Sequence, residues 1–337
     1  MENKISVIVT TYNQQNTIGR TLESILMQRC HLPLEVVIGE DCSTDSTRKV
    51  CESYAQRYPR IIRLMPKAPN KGIIANYYDC LVACTGEYIA DCAGDDFWID
   101  PYKLEKELTV MENNPSVTLV HTNWQFYDED SKKTTPNTYI PFKEEITPGK
   151  KMLEAIITQT KAPVIHTCTA LYRAKTIKEC YYADTQLFRN KEHGCEDLQL
   201  VFMLALKGDI AFLPDITLNY SIGHPSVSSQ PDEKKQFRFV QRTASLSFLL
   251  SNRYDIKTRE TRKFFEAKAF SLCMHAFRSK DKLLAKEAYS YASLWNVDNS
   301  CRIRAAKLIM ANNITWNATL LLRQMLVACK RLANSIK

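Results

Sequence analysis

The sequence predicts an α/β fold, an open and mainly parallel sheet with helices between its strands, followed by a basic helical region. Three observations carry that expectation. Apolar strand-like runs alternate with helix-spaced segments over the first hundred residues, joined by short connections. Polar clusters stand where the strand-like runs end. Beyond Gln236 the chain has neither glycine nor proline.

Ile5–Thr10 (ISVIVT) is rich in β-branched residues, the pattern of a strand buried on both faces. Thr17–Met27 then places Ile18, Leu22, Ile25 and Leu26 at helical spacing. Leu34–Glu40 (LEVVIGE) is a second buried strand, and Asp45 is positioned to cap a helix from Ser46 to Arg57. Ile61–Met65 is a third strand, Ile73–Cys84 a third helix, and Tyr88–Cys92 a fourth strand running into Gly94-Asp95-Asp96. Pro101–Asn113 is an amphipathic helix and Val117–Asn123 another strand. Residues 128–150 are polar, contain three prolines, and form a long excursion. After it the pattern gives a helix over Lys151–Thr160, a strand over His166–Tyr172 and a helix over Glu196–Leu206. Two short strands, Ala211–Phe212 and Ile216–Tyr220, close the region.

Charge divides the chain in two. Residues 1–232 carry 24 Lys+Arg against 30 Asp+Glu, and residues 233–337 carry 21 against 7. This asymmetry predicts a first domain over 1–232 and a basic helical domain over 233–337. The twelve cysteines are dispersed, with no CxxC pair, which predicts reduced and mostly buried thiols rather than a zinc site. The first residues lack a basic segment followed by an apolar one, and no window reaches about 20 uninterrupted apolar residues. The expectation is a cytoplasmic chain.

In a parallel α/β sheet, ligands bind beyond the carboxyl ends of the strands. Thr11-Tyr12-Asn13, Glu40-Asp41 and Gly94-Asp95-Asp96 gather there, so a shared ligand crevice is expected. No G-x-G-x-x-G follows the first strand, which speaks against a dinucleotide site.

Five segments, in order, resemble the inverting family 2 glycosyltransferases of bacterial surface-polysaccharide type. They are SVIVTTYNQQNTIGRTLESILMQ, IGEDCSTDST, NKGIIANYYDCLVACTGEYIA, GDDFWIDPYKLEKE and EDLQLVFMLALKG, and the resemblance covers roughly residues 4–230. The resemblance implies a GT-A fold that binds a nucleotide-sugar, UDP-linked. It places Thr10, Thr11 and Tyr12 against the nucleotide and gives Asp41 the base's ring N–H. A carboxylate only accepts hydrogen bonds, which suits that edge, although an acid here can also simply stabilise its turn. Gly72 and Asn76 would lie beneath the nucleotide, or serve as a turn glycine and a helix amide. Asp95, with Asp96 as second ligand or support, would hold a divalent cation, Mn²⁺ or Mg²⁺, against the donor diphosphate. A solvated pair capping the following helix is the alternative. His224 falls where relatives place diphosphate- or metal-contacting groups. Asp197 would be the general base of an inverting transfer and Glu196 its neighbour in positioning. The chain departs from the family at Ala93, where many relatives carry the first acid of a D-x-D motif. Asp91 cannot replace it by register, since two residues along a strand are about 6–7 Å apart.

The implied reaction moves a sugar to a hydroxyl of a glycan or lipid-linked glycan, with inversion. The alternative, motivated by Ala93, is a nucleotide-sugar-binding partner subunit of weak or no activity. In the rear third, Trp316, Leu320, Met325 and Leu326 alternate with Arg323, Lys330, Arg331 and Lys337. That pattern fits a helix lying on an anionic membrane surface, which would make the protein peripheral on the inner face of the plasma membrane. It fits equally a helix packed on its own domain, or one at a contact between copies of the chain. No recognisable nucleic-acid motif accompanies the charge.

Overall fold

A computed structural model describes residues 1–159, 163–223 and 231–321. The chain divides into two compact units, Met1–His224 and Pro225–Lys337.

The first unit opens with β1 (Glu2–Thr11), α1 (Ile18–Leu26), β2 (Leu34–Glu40), α2 (Thr47–Arg57), β3 (Ile62–Leu64), α3 (Ile73–Ala83) and β4 (Gly86–Asp91). Four strands pair in parallel in the order β3-β2-β1-β4. β1 lies inside the sheet, and its Ile5, Val7 and Val9 join the main core with Ile38 and Ala90. That placement is why its sequence is apolar without alternation. Ile18, Leu22 and Ile25 turn one face of α1 into the same core.

The remainder of the unit comprises β5 (Phe97–Trp98), α4 (Lys103–Asn113), β6 (Val117–Asp128), β7 (Thr134–Pro136), β8 (Ile146–Pro148), α5 (Leu153–Ile157), β9 (Ala170–Arg173), α6 (Ala174–Ala183), α7 (Thr185–Arg189), α8 (Asp197–Lys207) and β10 (Asp209–Ile222). The sheet extends past β4 as β9-β6-β10-β5. β9 is antiparallel to both of its neighbours, β4 and β6, so a parallel set continues into a mixed one. Arg173 at the end of β9 anchors that inserted strand by donating to the carbonyls of Val117, Met111 and Asn114.

Two departures from the sequence reading have clear causes. β10 is one strand of 14 residues rather than two short ones. Pro214 has no N–H for the ladder, and the pairing to β6 shifts register between Leu213 and Ile216 instead of ending there. The stretch predicted as a strand from His166 begins with a short 3-10 turn over Thr167–Thr169, and only Ala170–Arg173 pairs.

Under the site, α4 carries a fully buried ion pair. Lys103 Nζ lies 2.7 Å from Glu107 Oε2, both side chains are 0% exposed, and the ammonium sits 4.5 Å from the Trp98 ring centroid. Burial pushes the Glu107 carboxyl up to about 7 even with that partner.

The second unit contains α9 (Glu233–Arg253), α10 (Arg259–Ser279), α11 (Lys282–Leu294) and α12 (Cys301–Ala311), with residues 313–321 also helical. Asp232 and Asp281 accept from the first amides of α9 and α11, and Thr258 with Thr261 forms a capping box on α10. Phe237, Phe265, Leu272, Phe277, Trp295 and Trp316 are among its core residues. Trp316 and Leu320, two residues of the proposed membrane-facing stripe, are buried in this core. Trp316 also stacks on Phe277 and donates to its carbonyl at 3.1 Å. Met325, Leu326 and the basic residues Arg323, Lys330, Arg331 and Lys337 lie outside the described residues. Among the described residues no helix is long and apolar enough to cross a membrane.

Candidate active site at the carboxyl ends of the parallel strands

The three polar clusters meet because β1 pairs with β2 on one side and β4 on the other. Beyond the paired residues, Asp41 N–H donates to the Thr11 carbonyl and Gly94 N–H to the Thr10 carbonyl, each at 3.0 Å. The end of β1 is thus hydrogen-bonded to both neighbouring loops. Thr10 is half-buried, Thr11 buried, and Tyr12 stands 48% exposed. Asn13 takes a left-handed conformation (φ 54°), which its short polar side chain tolerates. From there Asn13 Oδ1 accepts from Thr44 N–H at 2.8 Å, and its own N–H donates to Ser43 Oγ at 2.9 Å.

Asp41 is buried, and its two carboxylate oxygens accept from the amides of Lys71 and Gly72 at 2.8 and 2.9 Å. Asn70 Nδ2 donates to the Asp41 carbonyl. The acid therefore fixes the loop that opens α3, where Gly72 adopts φ 81°, a value a side chain would resist. Asn76, one turn into α3, donates its Nδ2 to the Gly39 carbonyl at 2.7 Å and is committed to holding β2 against the helix.

The acidic turn after β4 separates its two carboxylates. Asp96 is 1% exposed and its Oδ1 accepts from Ser221 N–H at 2.9 Å. Burial, then the charge of Asp95, push its proton affinity well above the ordinary carboxyl range. Asp95 stays half-buried. Gly94 lets this turn rest on the end of β1. A Cβ on it would stand 2.5 Å from Gln14 Oε1 and 2.7 Å from Thr11 Oγ1.

The positive partner of this turn is a residue that motif reasoning did not single out. Arg20 Nη2 from α1 donates to the Asp95 carbonyl at 3.1 Å, to Glu129 Oε1 at 2.5 Å and to Ser221 Oγ at 3.2 Å. Its guanidinium also lies over Phe97, 4.0 Å from the ring centroid. Ser221 adds a hydroxyl bond to the Asp95 carbonyl at 2.6 Å. Burial raises the Glu129 carboxyl, but the hydrogen bonds and charge of Arg20 outweigh it and leave Glu129 at about 2. In the sequence Arg20 reads as an ordinary polar position of an amphipathic helix that also carries Thr21, Glu23 and Ser24.

Glu196 and Asp197 stand at the start of α8, half-buried, while Leu198, Leu200, Val201 and Leu204 bury the face beneath them. Tyr78 of α3 donates to the Glu196 carbonyl at 2.6 Å. Burial, the charge of Asp197 and, more weakly, that of Asp91 raise the Glu196 carboxyl to about 8. Asp91 itself is buried and accepts from the hydroxyls of Tyr77 and Tyr172. It does not stand in for the acid missing at Ala93. His224 lies outside the described residues.

Two groups of side chains have the composition to bind a metal ion among the described residues. Asp96, His166 and Cys168 have ligand atoms within 4.8 Å of one another in the interior, and Cys30, His31 and Glu105 do so near the surface. Thiol and imidazole are softer than Mg²⁺ or Mn²⁺ prefers. Hard cations of that kind take carboxylate, phosphate and water oxygens instead. The eleven described cysteines are all unpaired as disulfides.

Residues 6–181 match the model of Glycosyl transferase family 2. The chain is 30% identical over 216 residues to the uncharacterised protein Rv1520 of Mycobacterium tuberculosis, covering 64% of this chain and 58% of that one. The chain thus spans under two thirds of the length of such relatives. It is also 30% identical over 128 residues to the UDP-Glc:α-D-GlcNAc-diphosphoundecaprenol β-1,3-glucosyltransferase WfgD of Escherichia coli, covering 38% of this chain and 48% of that one. Among solved structures, S. aureus TarS in complex with UDP-GlcNAc has a TM-score of 0.54 at 16% identity, covering 86% of this chain and 92% of that one. The mannosyltransferase PcManGT of Pyrobaculum calidifontis, in complex with GDP-Man and Mn²⁺, has a TM-score of 0.54 at 17% identity, covering 95% and 88%. These two establish the shared fold. The relatives give no support to an inactive partner subunit.

Proposed function

Because the chain belongs to glycosyl transferase family 2, we propose that it transfers a single sugar from a UDP-linked donor to a hydroxyl of a glycan or lipid-linked glycan, with inversion. The observation that carries this reading is the convergence of the Thr11, Asp41 and Gly94 segments through main-chain hydrogen bonds at the end of β1. WfgD uses a UDP-sugar and a diphosphoundecaprenol-linked acceptor, and it supports both the donor and the acceptor class.

Thr10, Thr11 and Tyr12 form the wall against which the nucleotide rests, with Tyr12 exposed enough to stack on it. Each Asp41 oxygen accepts one internal amide and keeps capacity for a base N–H. Asp95 holds the divalent cation together with the diphosphate, and Asp96 supports the turn from the interior. Mn²⁺ or Mg²⁺ bound there supplies positive charge to the leaving diphosphate. Asp197 takes the proton of the acceptor hydroxyl as it attacks the anomeric carbon. Burial, then the charge of Asp197, raises the Glu196 carboxyl, which suits positioning of the acceptor. The absence of an acid at Ala93 leaves the ribose and the cation to other groups.

The test is calorimetric titration of UDP with and without Mn²⁺, together with transfer assays over a panel of UDP- and GDP-sugars. Asp95→Asn should lose the metal-dependent part of UDP affinity. Asp197→Asn should keep it and lose transfer by about 10²–10⁴-fold. UDP affinity in Asp95→Asn that still responds to metal as in the wild type would overturn the cation assignment.

A further inference from the structure

The connection leaving α1 and one face of α4 bring three metal-binding side chains together, none of them used by the proposed transfer. Cys30, His31 and Glu105 have ligand atoms within 4.8 Å of one another. His31 Nδ1 lies 3.1 and 3.0 Å from the two Glu105 oxygens, and its Nε2 lies 3.2 Å from Glu112 Oε1. Glu105 and Glu112 both belong to α4, two turns apart on one face of the helix. A single imidazole thus has a carboxylate at each ring nitrogen and a thiol beside it.

Contacts outside the three side chains fix this arrangement. Gln28 Nε2 donates to the Asp100 carbonyl at 2.7 Å, and its Oε1 accepts from Leu104 N–H at 3.1 Å. Arg29 N–H donates to the Pro101 carbonyl at 2.8 Å, and His31 N–H to Glu105 Oε2 at 3.0 Å. Leu104, Leu108 and Met111 bury another face of α4 in the main core. Cys30 and Glu105 are half-buried and His31 is exposed, so an ion can reach them from solvent. Even a protonated ring between the two carboxylates leaves this set of charges one negative in excess.

We propose that Cys30 Sγ, His31 Nδ1 and a Glu105 oxygen bind Zn²⁺, with Glu112 holding the Nε2–H from outside the shell and water as the fourth ligand. Thiolate, imidazole and carboxylate are the groups Zn²⁺ takes in tetrahedral sites, where its ligand atoms stand about 3.4–3.6 Å apart. His31 Nδ1 and Glu105 Oε2, now 3.0 Å apart, need to part by only about 0.5 Å to reach that spacing. A carboxylate on the far ring nitrogen is the usual outer partner of a zinc-bound histidine and fixes its tautomer. Zn²⁺ displaces the Cys30 thiol proton and the Nδ1 proton to solvent, while Nε2 keeps its own for Glu112. The soft ligand set separates this site from that of the hard cation proposed at Asp95. The ion would clip the end of α1 to α4, which makes it a stabilising ion rather than a reactant. The dispersed cysteines predict no zinc site because its ligands come from two elements, with His31 and Glu105 74 residues apart.

The test uses the full chain freed of metal. Zn²⁺ affinity is measured by competition with a chromogenic chelator, and Co²⁺ serves as the spectroscopic probe. The wild type should take up a single Zn²⁺ ion at this site, and its melting temperature should rise with Zn²⁺ concentration. With Co²⁺ it should show a thiolate-to-metal charge-transfer band and the visible bands of a four-coordinate ion. Glu112→Ala should keep the charge-transfer band and bind Zn²⁺ about 10–100-fold more weakly, because only the outer partner is lost. Cys30→Ser should lose the band and bind more weakly still, and Glu105→Ala should also fall below Glu112→Ala in affinity. Cys301→Ser, at an exposed thiol, should leave band and affinity unchanged. A band that survives in Cys30→Ser, or that vanishes in Cys301→Ser, overturns the proposal. So does a wild type that takes up no Zn²⁺ at a small excess over protein. Should Cys30→Ser not fold, Glu105→Ala decides, and an unchanged Zn²⁺ affinity in that variant overturns the site.

Discussion

Replacing Arg20 with methionine should cost stability in a pH-dependent way and loosen the acidic turn. Methionine keeps the apolar contact with Phe97 but removes the donors to Glu129, Ser221 and the Asp95 carbonyl. Glu129 sits at about 2 against an ordinary 4.5, which by linkage is worth about 3 kcal/mol at neutral pH. Lys132, 3.0 Å from Glu129, remains in the variant and retains part of that. The loss expected from the pair is then about 2 kcal/mol, with roughly 0.5–1 kcal/mol more from the cation–π contact. The Arg20 Nε–H is buried and finds no acceptor among the described residues, so its removal offsets some of the cost. Because the folded-state value of Glu129 is depressed, its contribution is full above the unfolded value near 4.5 and disappears as pH falls toward about 2. Urea denaturation of wild type and variant at pH 7 and pH 3.5 measures the gap. It should be about 2 kcal/mol at pH 7 and clearly smaller at pH 3.5. An equal gap at both values, or none at pH 7, would refute the assignment of Arg20 as the electrostatic partner of Glu129. UDP titration with Mn²⁺ on the same variant should show weaker binding, since the Asp95 carbonyl then loses its guanidinium donor.

Three further outcomes follow from buried charges. Lys103→Met should destabilise the fold by about 3–5 kcal/mol, because it strands Glu107 in the interior, and adding Glu107→Leu should recover most of that in thermal denaturation. The contribution of Asp91 to stability should decline as pH rises from about 4 to 7, since the unfolded chain releases its proton near 3.8 and the folded one near 7, while the desolvated His121 and His166 act the opposite way. Melting curves of Asp91→Asn across that range should lack that decline. Asp96→Ala should act on stability more than on metal-dependent affinity, because it removes the oxygen that accepts from the Ser221 amide in the interior. A clean loss of metal response with an unchanged melting temperature would reverse the roles of Asp95 and Asp96.

β1 and β2 were legible because their apolar runs ISVIVT and LEVVIG are rich in β-branched residues, the composition that burial on two faces selects. The direction of β9 was not. Four residues, the first three of them buried, read the same whether the neighbouring strand runs parallel or antiparallel, and only the connections decide. β10 was read as two strands because proline usually ends one, whereas the observed strand accommodates Pro214 with a register shift. The site followed the same division. Thr11, Asp41 and Asp95 could be placed because each ends a recognisable strand, and family-like segments surround them. Arg20 could not, since its partners Asp95, Glu129 and Ser221 lie 75, 109 and 201 residues away in the chain. Asp91 was considered only as a substitute for the missing acid and failed on register. What it does instead depends on Tyr77 and Tyr172, which no local pattern joins to it.

These contacts give α3 a role larger than that of a helix passing beneath a ligand. The loop at its start is held by Asp41, its Asn76 holds the end of β2, its Tyr77 holds Asp91, and its Tyr78 holds Glu196. The two halves of the proposed reaction, donor recognition by Asp41 and proton removal near α8, therefore share one rigid support. Rigid support of this kind is what keeps reacting groups in register when the groups themselves come from loops. It also explains why the segment NKGIIANYYDC has polar residues on a buried helix. Asn76, Tyr77 and Tyr78 are each buried and each hydrogen-bonded to a different part of the site. An apolar replacement at any of the three would take one donor from a buried carbonyl or carboxylate, at a cost of about 1–3 kcal/mol. Polarity on this helix face is thus set by the site it supports rather than by solvent.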